Sequence, residues 1–358
     1  MDMTEYKKLA ESCRFLLVQN NEWIDRYKGY IEKLEEVQGT VIESQSRFDL
    51  PNPLKLYLPL SSVMKCSNGE VTYDLRYQGQ SASTLTVDTK KTKESKEDVS
   101  LQINKNSHFL SSENCQYKDY ADSEKPLNWH TDDGAKAFRK TFQCEAFQSE
   151  DFKKHEHRLE SYLLSNYSQK SSGGKEVLRI QPIGMCGTGA KFQMPTPFKA
   201  STLHDPRIVI DQSLYAGHYG GGIDILAKTG SGRGTYLTII ELKDENRVNE
   251  SPQDAIRQAI AYTVFARELL RCEAAGNIGW WNFFGFHGAI PEKLKLRAVI
   301  AMPLEGTGSA KRAVEAEKNA KKFMTYVDQN APVIEIENDL IELHYVFREN
   351  TETKTSLK

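Results

Sequence analysis

Between residues 4 and 38 apolar positions recur at three- and four-residue steps among charges (Leu9, Phe15, Leu16, Ile24, Tyr27, Ile31, Leu34). That period predicts one amphipathic helix, with Gly39 as its terminator. Its plain role is a packing helix or a hairpin arm, and dimerisation is the alternative. Pro51 and Pro53 mark a boundary, after which the period changes to two. Leu56–Leu58, Val71–Tyr77, Thr84–Val87, 99–103 and residues near 107–110 read as strands, with a turn at Ser67-Asn68-Gly69. Residues 88–98 lack apolar anchors and read as an exposed loop, and 132–143 as a short helix. From about residue 148 helices and strands alternate. Helices are expected at 150–168, 252–271 and 309–328, and strands at 176–183, 207–211, 222–227, 236–242, 295–302, 333–337 and 341–347. Ser251, Pro252 and Asp254 give helix 252–271 a complete start signal. The order predicts an α/β core with a mixed sheet flanked by helices (residues 149–358), preceded by an α+β domain (residues 1–148).

Composition narrows the classes. The 358 residues are 39% hydrophobic and 27% charged, too apolar for a disordered chain and too polar for a membrane one. Six scattered cysteines contain no C-x-x-C pair, which argues against a zinc ribbon and fits free thiols in a reducing cytoplasm. A cytoplasmic protein with no membrane partner is the expectation. The net charge of −2 gives no strong basic footprint, yet acidic ligands offset by local basic patches would also sum to this.

The chemistry concentrates in residues 220–243, GGGIDILAKTGSGRGTYLTIIELK. They read as a β-hairpin turning at the glycines of 229–234. Asp224 stands on the first strand, and Glu241-Leu242-Lys243 ends the second. Because strand residues i and i+2 face one side, Glu241 and Lys243 project together. Pairing of the strands brings Asp224 near Glu241. Two carboxylates with the Leu242 or a neighbouring carbonyl make a hard-oxygen set suited to Mg²⁺, and the lysine is placed to orient water or stabilise a phosphorane. On the following helix Gln258 and Tyr262 share a face at i,i+4 spacing. The plain alternatives are a surface salt-bridge cluster for the triad, a solvated Gln258 and a core Tyr262.

These residues resemble the PD-(D/E)XK nuclease superfamily, whose signature is an acid on one hairpin strand and (D/E)-x-K on the next. Gln258-Ala-Ile-Ala-Tyr262 looks like the Q-x-x-x-Y element of its RecB-like branch. The resemblance covers roughly residues 150–345. It implies a restriction-endonuclease-like fold in which Asp224, Glu241 and the Leu242 carbonyl bind Mg²⁺ (Mn²⁺ substituting), with Glu160 joining them from the first helix. Lys243, Gln258 and Tyr262 would serve catalysis. The implied activity is phosphodiester hydrolysis, foremost by a DNA endonuclease of restriction or defence type and possible homodimer. An RNase, a non-catalytic nucleic-acid-binding or assembly module, and a ligand-gated effector are the alternatives. The stretch 170–221 departs from a compact family core and is expected to form a flap or substrate wall.

Weaker candidates are His218, Glu156 (sharing a face with Glu160), the basic stripe Lys311, Arg312, Lys318, Lys321 and Lys322, and the aromatic run Trp280, Trp281, Phe283, Phe284 and Phe286, read as core rather than as a base-stacking platform. His155 and His157 lie in too polar a context for zinc, and no Gly-Lys-Ser/Thr follows Gly184, Gly187 and Gly189 to make a phosphate loop.

Overall fold

A computed structural model describes the chain except for residues 1, 67–68, 151–154, 168–178, 204–214, 217–219, 244–249, 273–278, 305–309, 350–351 and 358; at 155–157, 202, 233 and 310–312 it describes only the backbone. The expected strand 207–211, His218 and turn residues Ser67 and Asn68 lie outside the described residues. So do the side chains of His155, Glu156, His157, Lys311 and Arg312.

The described elements run α1 (Met3–Gln19), α2 (Glu22–Gln45), β1 (Lys55–Pro59), α3 (Leu60–Lys65), β2 (Glu70–Tyr77), β3 (Gln80–Asp88), β4 (Val99–Ile103), β5 (Leu127–Asn128), α4 (Asp133–Gln143), α5 (Glu145–Gln148), α6 (His155–Tyr167), β6 (Ile180–Pro182), β7 (Lys191–Gln193), β8 (Pro195–Thr196), β9 (Gly221–Gly222), β10 (Ile225–Thr229), β11 (Tyr236–Leu242), α7 (Pro252–Arg271), α8 (Gly279–Phe283), β12 (Lys295–Pro303), α9 (Ala310–Asn330), β13 (Val333–Ile336), β14 (Asp339–Glu349) and β15 (Glu352–Thr355). They form a mixed α/β protein. The chain divides into two compact units, one of residues 1–31, 162–183 and 193–358, the other of 32–161 and 184–192. This division differs from a single cut at 148/149, because the first 31 residues belong with the C-terminal elements and 184–192 with the N-terminal ones.

In the first unit seven strands order as β13-β14-β12-β11-β10-β6, with β15 on β14. The pairs β10/β11, β13/β14 and β6/β10 are antiparallel, while β11/β12 and β12/β14 are parallel. Parallel central strands are buried on both faces, and β12 accordingly keeps Leu296–Met302 buried. Helix α7 packs on β11 and β12, and α1 packs on α7. Ser251 caps α7, its hydroxyl accepting from the Asp254 N–H at 3.3 Å. Phe265 of α7 meets Trp23 and Tyr27 edge to face, and Tyr27 touches Trp280.

The second unit is built on the sheet β5-β4-β3-β2-β1-β7. Leu56, Leu58, Tyr73, Leu75, Leu85, Val87 and Leu101 are buried, and Phe109, Phe138, Phe142 and Phe147 form an aromatic core with Tyr77 and Tyr117.

Several expectations need correction. The N-terminal segment is two helices: Asn20 ends α1, both its N–H and its side chain donating to the Leu16 carbonyl, and the Ile24 N–H turns back to Asn21. Gly39 does not terminate α2, because Val37, Val41 and Ser44 continue the buried stripe to Gln45. That burial outweighs a glycine cost of about 1 kcal/mol. Residues near 107–110 form a 3₁₀ turn, His108–Ser111, with the Ser107 hydroxyl capping Phe109. The tight hairpin joins β2 and β3 through Gln78 and Gly79, both at positive φ as a type I′ turn requires. Within the expected flap, 191–193 is instead strand β7 at the sheet edge beside β1. No described helix is long and apolar enough to cross a membrane.

Candidate active site

Strand β11 is buried along Leu237–Leu242, and its last carboxylate, Glu241, is 5% exposed. The β10/β11 register pairs Ile225 with Ile240, so its next step sets Asp224 opposite Glu241. Asp224 is fixed there by its Oδ2, which accepts the Leu242 N–H at 2.8 Å. The Lys243 N–H donates to the Ala301 carbonyl at 2.9 Å, which carries the β11/β12 pairing one residue past Leu242. Two strands thus hold the Asp224 and Glu241-Leu242-Lys243 backbones at one end of the sheet.

Lys243 is 4% exposed. Its Nζ donates to Glu241 Oε1 at 2.8 Å and to Gln258 Oε1 at 3.2 Å. Gln258, 1% exposed on α7, turns its Nε2 to Glu250 Oε1 at 3.0 Å. The result is a buried chain, Glu241–Lys243–Gln258–Glu250, strung between a strand end and the start of a helix. A solvated Gln258 and a surface salt-bridge cluster are both excluded by this burial. Burial works to neutralise the Lys243 ammonium, but the charges of Glu241, Glu250 and Asp224 win and hold its pKa above 10.5. The group is therefore a cation at neutral pH and acts by charge and hydrogen bonding rather than as a base.

Tyr262 lies one turn beyond Gln258 and is 4% exposed. Its hydroxyl approaches the backbone of β9 so closely that a Cβ on Gly221 would stand 2.7 Å from it. Burial first, then the charges of Glu241 and Asp224, raises its pKa, so the phenol keeps its proton. Asp224, Glu241, Lys243, Gln258 and Tyr262 consequently share one neighbourhood.

Glu160 belongs to the other unit. It is 6% exposed and accepts a hydrogen bond from the Tyr57 hydroxyl. Among the weaker candidates, Trp280, Phe283 and Phe284 are core, while Trp281 and Phe286 stack on each other at 4.2 Å and are half-buried. Lys318, Lys321 and Lys322 are exposed, and Lys321 pairs with Glu317.

The residue sequence reasoning missed is Glu250. Its signal was an acid immediately before the Ser251 cap, where a helix N-terminus favours negative charge. Here it also orients Gln258, a role that only the folded neighbourhood reveals.

Asp224 and Glu241 offer hard oxygens, and the Leu242 carbonyl is of the same kind. Mg²⁺ typically takes one or two carboxylates and completes its shell with water and phosphate oxygens, so the donor set fits that ion. Among the described residues no group of three or more His, Cys, Asp or Glu is arranged to hold a metal, so an all-protein cage is not on offer there. No protein-family model, curated protein or solved structure matches the chain.

Proposed function

We propose that this chain is a metal-dependent nuclease of the PD-(D/E)XK type, with a restriction-endonuclease-like core, that hydrolyses phosphodiester bonds in DNA. The observation that carries the reading is the buried Lys243 ammonium bonded to Glu241 and Gln258 beside Asp224. Burying one ammonium among three carboxylates is costly for a fold and serves it little, whereas perturbed ionisable clusters concentrate at functional sites.

In this reading Asp224, Glu241 and the Leu242 carbonyl hold Mg²⁺, with Mn²⁺ as a substitute. The ion supplies Lewis acidity toward the phosphate and a bound water of lowered pKa. Lys243, as a fixed cation, stabilises the negative charge that grows on the phosphate oxygens. Gln258 keeps the ammonium aimed, and Glu250 fixes the rotamer of Gln258. Tyr262, held protonated, can donate a hydrogen bond as well as accept one, and its hydroxyl lies against the backbone of β9.

The test is incubation of supercoiled plasmid, linear duplex, single-stranded DNA and RNA with the protein and Mg²⁺ or Mn²⁺. Metal-dependent cutting of DNA is expected, with Asp224→Ala and Lys243→Ala each slower by about 10²–10³-fold, the scale of losing one transition-state contact. Cutting that survives both substitutions contradicts the proposal, and cutting confined to RNA replaces the substrate.

A further inference from the structure

On one face of the second unit's sheet, cations gather without enough anions to match them. Lys55 of β1 pairs directly across from Arg76 of β2, and Tyr57 from Asp74. Residues 55 and 57 lie on the same face, as do 74 and 76. Arg76 sits over the Tyr57 ring at 4.3 Å and donates to Asp74 at 2.5 Å. Tyr57 in turn donates to Glu160. Arg76, Asp74, Tyr57 and Glu160 are thereby tied together.

Two lysines are left over. Lys55 and, from the neighbouring strand β7, Lys191 are both half-buried. Among the described residues neither ammonium has a hydrogen-bond or ion-pair partner within reach. Burial and the neighbouring Lys55 push the Lys191 ammonium down to about 8, and Glu160 offsets this only in part. Burial also lowers Lys55. Half-buried like charges side by side cost stability, and a bound anion removes that cost.

We propose that Lys55 and Lys191, backed by Arg76, form a phosphate-binding site on the sheet of the second unit. Two lysine point charges with an arginine behind them suit a tetrahedral, multiply charged oxyanion better than a planar carboxylate. The choice of a nucleic-acid backbone as the source of that phosphate rests on the nuclease reading, and the anion site itself does not. Free phosphate or pyrophosphate carries the same chemistry.

The experiment uses the full chain carrying Asp224→Asn, so that substrate is not consumed. Binding of a fluorescent duplex and of a single-stranded oligonucleotide is measured from 50 to 300 mM salt, with and without Lys55→Gln and Lys191→Gln. Thermal melts with inorganic phosphate or pyrophosphate run in parallel. Each lysine substitution should lower the slope of log affinity against log salt by about 0.9 on duplex or 0.7 on single strands. It should leave the melting temperature without anion unchanged or higher, which loss of a merely structural lysine would not do.

Reduced slopes with no cleavage by the wild type would keep the anion site and sink the nuclease reading. Cleavage by the wild type, with slopes unchanged in both variants and no melt shift from phosphate or pyrophosphate, would sink the anion site alone. A melt raised by phosphate or pyrophosphate and not by oligonucleotide, and lost in the variants, would keep the site and assign it to a free anion. No response to any of these ligands would overturn it.

Discussion

Replacing Lys243 with methionine tests whether the site is held together by charge. The substitution keeps an unbranched chain one atom shorter and deletes the ammonium. At 2.8 Å from Glu241 Oε1, the pair attracts by about 6 kcal/mol at an effective dielectric constant of 20, before desolvation is subtracted. Removing one partner of a buried pair leaves the other uncompensated and costs about 3–5 kcal/mol net. Here Glu241 and Glu250 lose their shared cation, with Asp224 nearby. The upper part of that range is therefore expected at pH 8. The cost must also depend on pH with a definite sign. In the variant the buried carboxylates lose their shared cation and repel, and protonation relieves that repulsion, so the gap between variant and wild type narrows from pH 8 to pH 5. In the wild type the raised pKa of Lys243 gives a contribution complete below 10.5 and lost above the folded value. Urea unfolding followed by tryptophan fluorescence reads both effects, since Trp23 and Trp280 are buried in the same unit. A penalty under about 1 kcal/mol, or one that does not change with pH, would refute the reasoning.

Other consequences follow from the same unit. Asp339, 1% exposed, accepts from Arg267 Nε at 2.8 Å, Arg271 Nε at 2.9 Å and the Leu294 N–H at 2.9 Å, so Asp339→Asn should cost about 3–5 kcal/mol in urea unfolding. Burial works to raise its pKa, but Arg271, the Leu294 amide and Arg267 overcome it; the stabilisation is present above 3.8 and lost as pH falls through the lower folded value, which an acid titration would locate. Ser251→Ala removes the cap of α7 and should cost about 1 kcal/mol in the same assay. Mg²⁺ at ten times its dissociation constant should stabilise the wild type by about 1.4 kcal/mol. That is roughly 3–5 °C in a melt of a body this size, and Asp224→Asn should abolish it.

Local signals that act alone were readable from the sequence. Ser251, Pro252 and Asp254 announce α7 without reference to any other element, and the 229–234 glycines with their β-branched flanks announce the β10/β11 hairpin. The i, i+2 geometry of Glu241 and Lys243 follows from strand pleating, which is why the centre of the site was legible. What failed depended on partners distant in sequence. Whether Gly39 stops a helix is decided by what covers Val37 and Val41. The break at Asn20 needed two hydrogen bonds to one carbonyl that no apolar period reveals. The period also cannot tell that residues 184–192 add a strand to the N-terminal sheet, or that Glu160 pairs with Tyr57. Glu250 carries no strand or helix pattern, and its value arises only because Gln258 stands two turns along α7.

The measurement closest to the central claim is a supercoiled-plasmid nicking time course in Mg²⁺, comparing wild type with Asp224→Asn and Lys243→Met after each variant is shown to be folded under the assay conditions. Conversion to nicked or linear DNA is expected for the wild type, abolished by chelation of the metal and at least about 100-fold slower in both variants. Equal rates in the wild type and both folded variants, or no metal-dependent cutting of DNA by the wild type, would contradict that claim.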